Sequence, residues 1–69
     1  MKFNTEDYAE THGRNPKATD VAVWNFYLCR DDEMTEVSTQ RPELYSYAKR
    51  FAFSEAKAVG GIVEIYVCP

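Results

Sequence analysis

Val21-Ala22-Val23-Trp24-Asn25-Phe26-Tyr27-Leu28-Cys29 is a nine-residue aromatic and aliphatic run that ends abruptly at Arg30-Asp31-Asp32-Glu33. Aromatic and β-branched side chains fit a pleated, half-buried surface, so the run predicts a strand over residues 20 to 30. Alternation puts Ala22, Trp24, Phe26 and Leu28 on one face and Val21, Val23, Tyr27 and Cys29 on the other. The first face is buried, and the second, less apolar one must also be accounted for.

Outward from this strand, Arg30-Asp31-Asp32-Glu33 supplies a turn. Met34 to Thr39 forms a weaker second strand, in which Thr35, Val37 and Thr39 alternate with Glu36 and Ser38. Pro42 suits the first position of a helix, where its missing N–H costs nothing, and Glu43 suits the positive end of the helix dipole. Gly60-Gly61 stops that helix, and Ile62 to Val67 reads as a final strand. The expected fold is α+β: a small antiparallel-type sheet in β-β-α-β order over residues 21–69, with one main helix packed on one face.

Residues 1–20 read as a leader that is either a flexible arm or a short helix. Asn4, Glu6 and Asp7 favour a helix start, and His12-Gly13 a stop. About eight residues cannot hold a helix alone, so it forms only if Phe3 and Tyr8 dock on the body. Two aromatics favour docking.

With the helix beneath Trp24, Phe26, Leu28, Val63, Ile65 and Val67, its packing face should carry Leu44, Ala48, Phe51 and Val59. The other sheet face then presents Val23, Tyr27, Ile62, Glu64 and Tyr66. One helix cannot cover both faces, so this second surface is exposed, covered by the leader, or buried in a partner. The helical wheel holds an anomaly: Glu55 points towards the apolar stripe and Phe53 away from it, among Lys49, Arg50 and Lys57. A break near Ser54, or a Glu55 carboxylate at the core's edge, resolves the conflict. An unbroken helix instead makes Tyr45, Lys49 and Phe53 a recognition stripe.

The chain has 69 residues, 45% apolar and 14% aromatic, with 11 acidic against 8 basic side chains and a net charge of −3. That describes one small domain whose core is built from large side chains, not a disordered segment. No apolar leader follows Met1 and no run reaches membrane-spanning length, which predicts a cytoplasmic protein. Cys29 and Cys68 are then expected as free thiols, although neighbouring strands would permit a disulfide.

No catalytic constellation emerges. The lone His12 lies in the leader, and its distance in sequence from Cys29 and Cys68 offers no metal spacing. Ser46-Tyr47-Ala48-Lys49 and Ser54-Glu55-Ala56-Lys57 both match S-x-x-K, without the supporting motifs of penicillin-recognising enzymes. Asp31-Asp32-Glu33 is a solvated turn rather than a magnesium site, because adjacent side chains diverge. Gly60-Gly61 precedes a strand and cradles no phosphate. No cofactor and no metal are expected, and the chain is read as not an enzyme.

Recognition remains. Tyr27 and Tyr66 on an open sheet suggest base stacking, but Glu64 and the acidic turn repel phosphates, which weighs against nucleic acid there. Arg41, Lys49, Arg50 and Lys57 form a basic helix face that supports an alternative nucleic-acid-binding role. The leading expectation is a protein-binding surface: Tyr27, Tyr66, Val23 and Ile62 as apolar anchors, Asp31, Asp32 and Glu33 as an acidic rim, and Tyr45 and Phe53 on the helix. A second alternative is a homodimer in which the spare face pairs with itself.

The segment Gly60-Gly61-Ile62-Val63-Glu64-Ile65-Tyr66-Val67-Cys68-Pro69, preceded by an acidic hairpin and one helix, resembles the T7-type phage inhibitor of bacterial RNA polymerase. The similarity covers roughly the last fifty residues and carries over only Asp31-Asp32-Glu33 as a contact surface. The leader is longer here, and Tyr45, Tyr47 and Phe53 have no clear counterpart. The chain is also similar in size to other phage-encoded inhibitors, anti-CRISPR proteins among them. The resemblance implies a phage or mobile-element inhibitor that binds a host protein or complex and blocks a macromolecular machine, an anti-defence role included.

Overall fold

Trp24 divides the aromatic run that the sequence reads as one strand. Its backbone exchanges hydrogen bonds with Thr39: Trp24 N–H donates to Oγ1 at 3.0 Å, and Thr39 N–H donates to the Trp24 carbonyl at 2.9 Å. Its indole Nε1–H donates to the Glu43 carbonyl at 2.8 Å. The run therefore serves two sheets. In the computed structural model, which describes residues 1–69, the elements are β1 (Lys2–Asn4), α1 (Glu6–His12), β2 (Val21–Ala22), β3 (Asn25–Arg30), β4 (Glu33–Ser38), β5 (Glu43–Leu44), α2 (Tyr45–Val59) and β6 (Glu64–Val67).

The fold is α+β, with one main helix packed against the sheet, as the sequence predicts. The main sheet has the order β1-β6-β3-β4, and β2 pairs with β5 in a separate two-stranded sheet. The β3–β4 hairpin turns through Asp31-Asp32, with Arg30 opposite Glu33 and Asp31 at φ 49°. An aspartate tolerates this left-handed conformation better than most residues. β6 runs antiparallel to β3 on its other side, and β1 adds parallel to β6 through Phe3 opposite Ile65.

The leader is thus neither a free arm nor a helix alone. It supplies a sheet strand and then a helix. Asn4 Oδ1 accepts from the Glu6 N–H at 3.0 Å at the helix start, and Gly13 closes it at φ 76°. Phe3 meets the Phe26 ring edge-on at 6.4 Å, and Tyr8 packs on Trp24 at 5.6 Å.

Residues 43–44 are extended, which corrects the expected helix start at Pro42. Pairing of Ala22 with Glu43 and Val21 with Leu44, plus the Trp24 indole bond, holds Glu43 out of the helix. α2 begins at Tyr45 without a side-chain cap. Its first free N–H groups are met instead by leader carbonyls: Tyr45 N–H donates to Asp20 at 2.9 Å and Ser46 N–H to Ala18 at 3.1 Å.

The buried face of α2 also differs from the expected one. Tyr45, Ala48, Ala52 and Ala56 are buried, whereas Leu44 and Val59 are 46% and 39% exposed. The three alanines let α2 approach a sheet surface already filled by Phe26, Leu28, Ile65 and Val67, all fully buried. With this phase α2 needs no break at Ser54, and Glu55 lies half-buried at the margin of the core.

Ile62 is a further correction, since it is 8% exposed and part of the core rather than of the outer face. The strand expected from 62 starts only at Glu64, because Gly60 and Gly61 both take positive φ and alternation has not begun at Ile62. Val63, expected inside, is 65% exposed. Arg30 lies across this link: its Nη1 donates to the Gly60 carbonyl at 3.1 Å, and a Cβ on Gly61 would stand 3.0 Å from its Cδ.

Candidate functional site: an acidic tyrosine face and a basic groove

Register assigns the outer face of the main sheet, away from α2. Tyr27 is directly opposite Tyr66 on one side and Glu36 on the other, and Cys29 is opposite Glu64 and Met34. Asn4, next to Tyr66, donates from Nδ2 to Glu64 Oε2 at 2.9 Å, fixing that carboxylate beside the tyrosines. The Glu64 charge is the largest reason that the Tyr66 phenol is held above its ordinary range. Burial, with help from Glu64, raises the Cys29 thiol, and burial, then Glu36 and Asp7, raises Cys68.

The acidic turn belongs to this face. A depression of about 330 Å³ brings Asp31, Asp32 and Glu33 together with Met34, Val63 and Tyr66. Met34 is 60% exposed and Tyr27 37%. Sequence reasoning named the tyrosines and the three acids but not Met34, Val63 or Glu64 as contact residues. The signal for Met34 and Glu64 was their same-face register with Cys29. Glu33 is shared with Arg30 at 3.4 Å, an exposed pair that leaves the carboxylate accessible.

Other expected anchors separate from the face. Val23 is exposed but lies between β2 and β3, outside the main sheet. Tyr45 is buried against Trp24, with ring centroids 4.8 Å apart, so it cannot belong to an exposed stripe. Phe53 is exposed on α2, on the far side of the sheet from Tyr27 and Tyr66.

Phe53 lies in a second, basic feature. Between α2 and Phe3 of β1 runs a groove of about 380 Å³, lined by Lys49, Arg50, Phe53, Ser54 and Lys57. Lys49 Nζ stands 5.1 Å from the Phe3 ring centroid and 5.8 Å from that of Tyr45, and Lys57 Nζ stands 5.2 Å from that of Phe53. Ion pairs involve Arg14 with Asp20, Arg30 with Glu33 and Arg41 with Glu43, and none of the three groove cations. Arg41 does not join the groove. Its Nε is bound 2.9 Å from Glu43 Oε2, and it lines a different depression with Tyr47 and Phe51.

Cys29 and Cys68 are free, although β3 and β6 are neighbours. Cys29 faces Glu64, while the Cys68 N–H bonds the Asn25 carbonyl at the other end of β3. Four strand residues separate the two levels, roughly 13 Å, far beyond disulfide reach. His12 stacks on Tyr8 with centroids 4.0 Å apart. No three His, Cys, Asp or Glu side chains converge as a metal site would require, and no helix is long and apolar enough to cross a membrane.

Comparison with known proteins finds no matching family model, no matching curated protein and no matching solved structure.

Proposed function

We propose that the chain is a non-enzymatic protein-binding domain whose outer sheet face docks on a basic, partly apolar surface of another protein. One observation carries this reading: Tyr27 and Tyr66 form a cross-strand pair on the sheet face turned away from α2, ringed by Glu36, Glu64 and the Asp31-Asp32-Glu33 turn. Paired tyrosines give large, rigid contact area at low entropic cost, and surrounding carboxylates steer a basic partner and fix its register. Met34 and Val63 add apolar area beside the acids.

Basic partner surfaces are typical of machinery that holds nucleic acid, so occupying one is a route to stoichiometric inhibition. That is the form in which a phage or mobile-element inhibitor role would be exercised, in the cytoplasm, on a host complex. Self-pairing of the face is less well supported, because it would set like carboxylates against each other without a compensating cationic row.

The test is a paired variant. Tyr27→Ser with Tyr66→Ser should keep a cooperative thermal transition and abolish association with the partner. Unfolding of the double variant would make the tyrosines part of the core. Concentration-dependent dimers in sedimentation, lost in the same variant, would replace the heterologous partner by a second copy.

A further inference from the structure

We propose that the groove between α2 and β1 binds single-stranded nucleic acid, independently of the tyrosine face. It contains three cations without a carboxylate partner, Lys49, Arg50 and Lys57, whereas Arg14, Arg30 and Arg41 are all neutralised in ion pairs. None of its lining residues is acidic, in a chain whose net charge is −3. Of the other two cations, Lys2 is opposite Glu64 in the sheet and Lys17 acts on Asp20, so the basic side chains without an acidic neighbour are concentrated here.

The shape favours an elongated anion. A second depression, of about 470 Å³ and reaching Pro16 and Ala18, shares Lys49 and Arg50 with the groove. The two make one track. From Lys49 to Lys57 the cations extend over roughly 12 Å of helix axis.

The rings select among elongated anions. Phe3 and Phe53 line the track and each carries a lysine ammonium close to its ring. Cations alternating with flat aromatic surfaces match a strand in which phosphates alternate with bases. Such tracks bind single strands through backbone charge and base stacking, tolerant of sequence. An acidic peptide would satisfy the lysines and leave the rings without planar partners. A duplex keeps its bases stacked inside and cannot use them.

The experiment is fluorescence anisotropy with a labelled twelve-nucleotide oligothymidine, set against a duplex of equal length and a glutamate-rich peptide, across a salt series. Expected is preference for the single strand, with a slope of log affinity on log salt of about −2 for three neutralised phosphates. Phe53→Ala should weaken binding about tenfold and keep the slope, through lost stacking. Lys57→Gln should reduce the slope by about 0.7. Tyr27→Ser with Tyr66→Ser should leave oligonucleotide binding unchanged, which separates this site from the proposed protein-binding face. The inference is overturned by absence of binding at low salt, by equal or tighter binding of the peptide or duplex, by indifference to Phe53→Ala in a folded variant, or by loss of binding in a tyrosine double variant that stays folded.

Discussion

Tyr27 of β3 stands directly opposite Tyr66 of β6, and Glu64, two residues from Tyr66 on the same face, is hydrogen-bonded to Asn4 of β1. Three strands thus cooperate to place two phenols and a carboxylate on one surface. The third of these strands comes from the segment that reads as an arm or a short helix in the sequence.

This arrangement has a titration signature. Since Glu64 is the main cause of the raised Tyr66 phenol, Glu64→Gln should bring one tyrosine back towards its ordinary value near 10. Absorbance titration of the phenolates should show Tyr45 still titrating late in that variant, because burial is the largest cause of its shift. If Glu64→Gln left every tyrosine unmoved, the Glu64–Tyr66 proximity would be wrong.

The alanine stripe of α2 makes an opposite demand on volume from an ordinary helix face. Ala52 is fully buried against the sheet, so Ala52→Leu should cost about 1–3 kcal/mol through overpacking. Leu44→Ala, at a position nearly half exposed, should cost under about 1 kcal/mol. Denaturant midpoints at unchanged slope distinguish these two outcomes, and the reverse ranking would restore the helix phase expected from the sequence.

Trp24 should be irreplaceable even by another aromatic. Trp24→Phe leaves the Glu43 carbonyl without its indole donor and should cost about 1–3 kcal/mol from that loss, before any cavity effect. Hydrogen exchange should quicken at the β2–β5 pair first, and an unchanged exchange pattern there would contradict the anchoring role.

Acid should loosen the leader. The Arg14 guanidinium and the Lys17 backbone N–H hold the Asp20 carboxyl below its ordinary value. A depressed carboxyl stabilises the fold above its unfolded value, near 4, and the contribution fades as pH falls through the folded one. Asp20→Asn should therefore lower stability at pH 7 and reduce the difference between pH 7 and pH 3. Equal acid sensitivity in the variant would show that the pair contributes nothing.

Much of the architecture was legible because it rested on local pattern. Phe26 and Leu28 announced a buried strand face by alternation, and Gly60-Gly61 announced the end of α2. What the chain could not announce was non-local pairing. Lys2–Asn4 is too short and polar to read as a strand, and becomes one only because β6 offers a free edge. The helix start moved from Pro42 to Tyr45 because the Trp24 indole and β2 bind residues 43–44. Leu44 therefore lies in β5, Val59 stays exposed in the last turn of α2, and the buried face centres on Tyr45, Ala48, Ala52 and Ala56. Of the candidate site, the tyrosines and the acidic turn were readable, while the grouping of Met34, Val63 and Glu64 with them depended on strand register. The basic cluster was readable on α2 alone, and Arg41 fell outside it because it precedes β5 and pairs with Glu43.

The most direct measurement is site-specific photo-crosslinking in the producing cell. One photoreactive residue replaces Met34 on the outer face, and another, as control, replaces Val59 at the end of α2. A discrete adduct to a different protein should form from position 34, vanish when Tyr27→Ser and Tyr66→Ser are added, and be absent from position 59. No adduct from position 34, adducts to a second copy alone, or an adduct that survives the tyrosine changes would contradict the proposal that this face is a heterologous protein-binding surface.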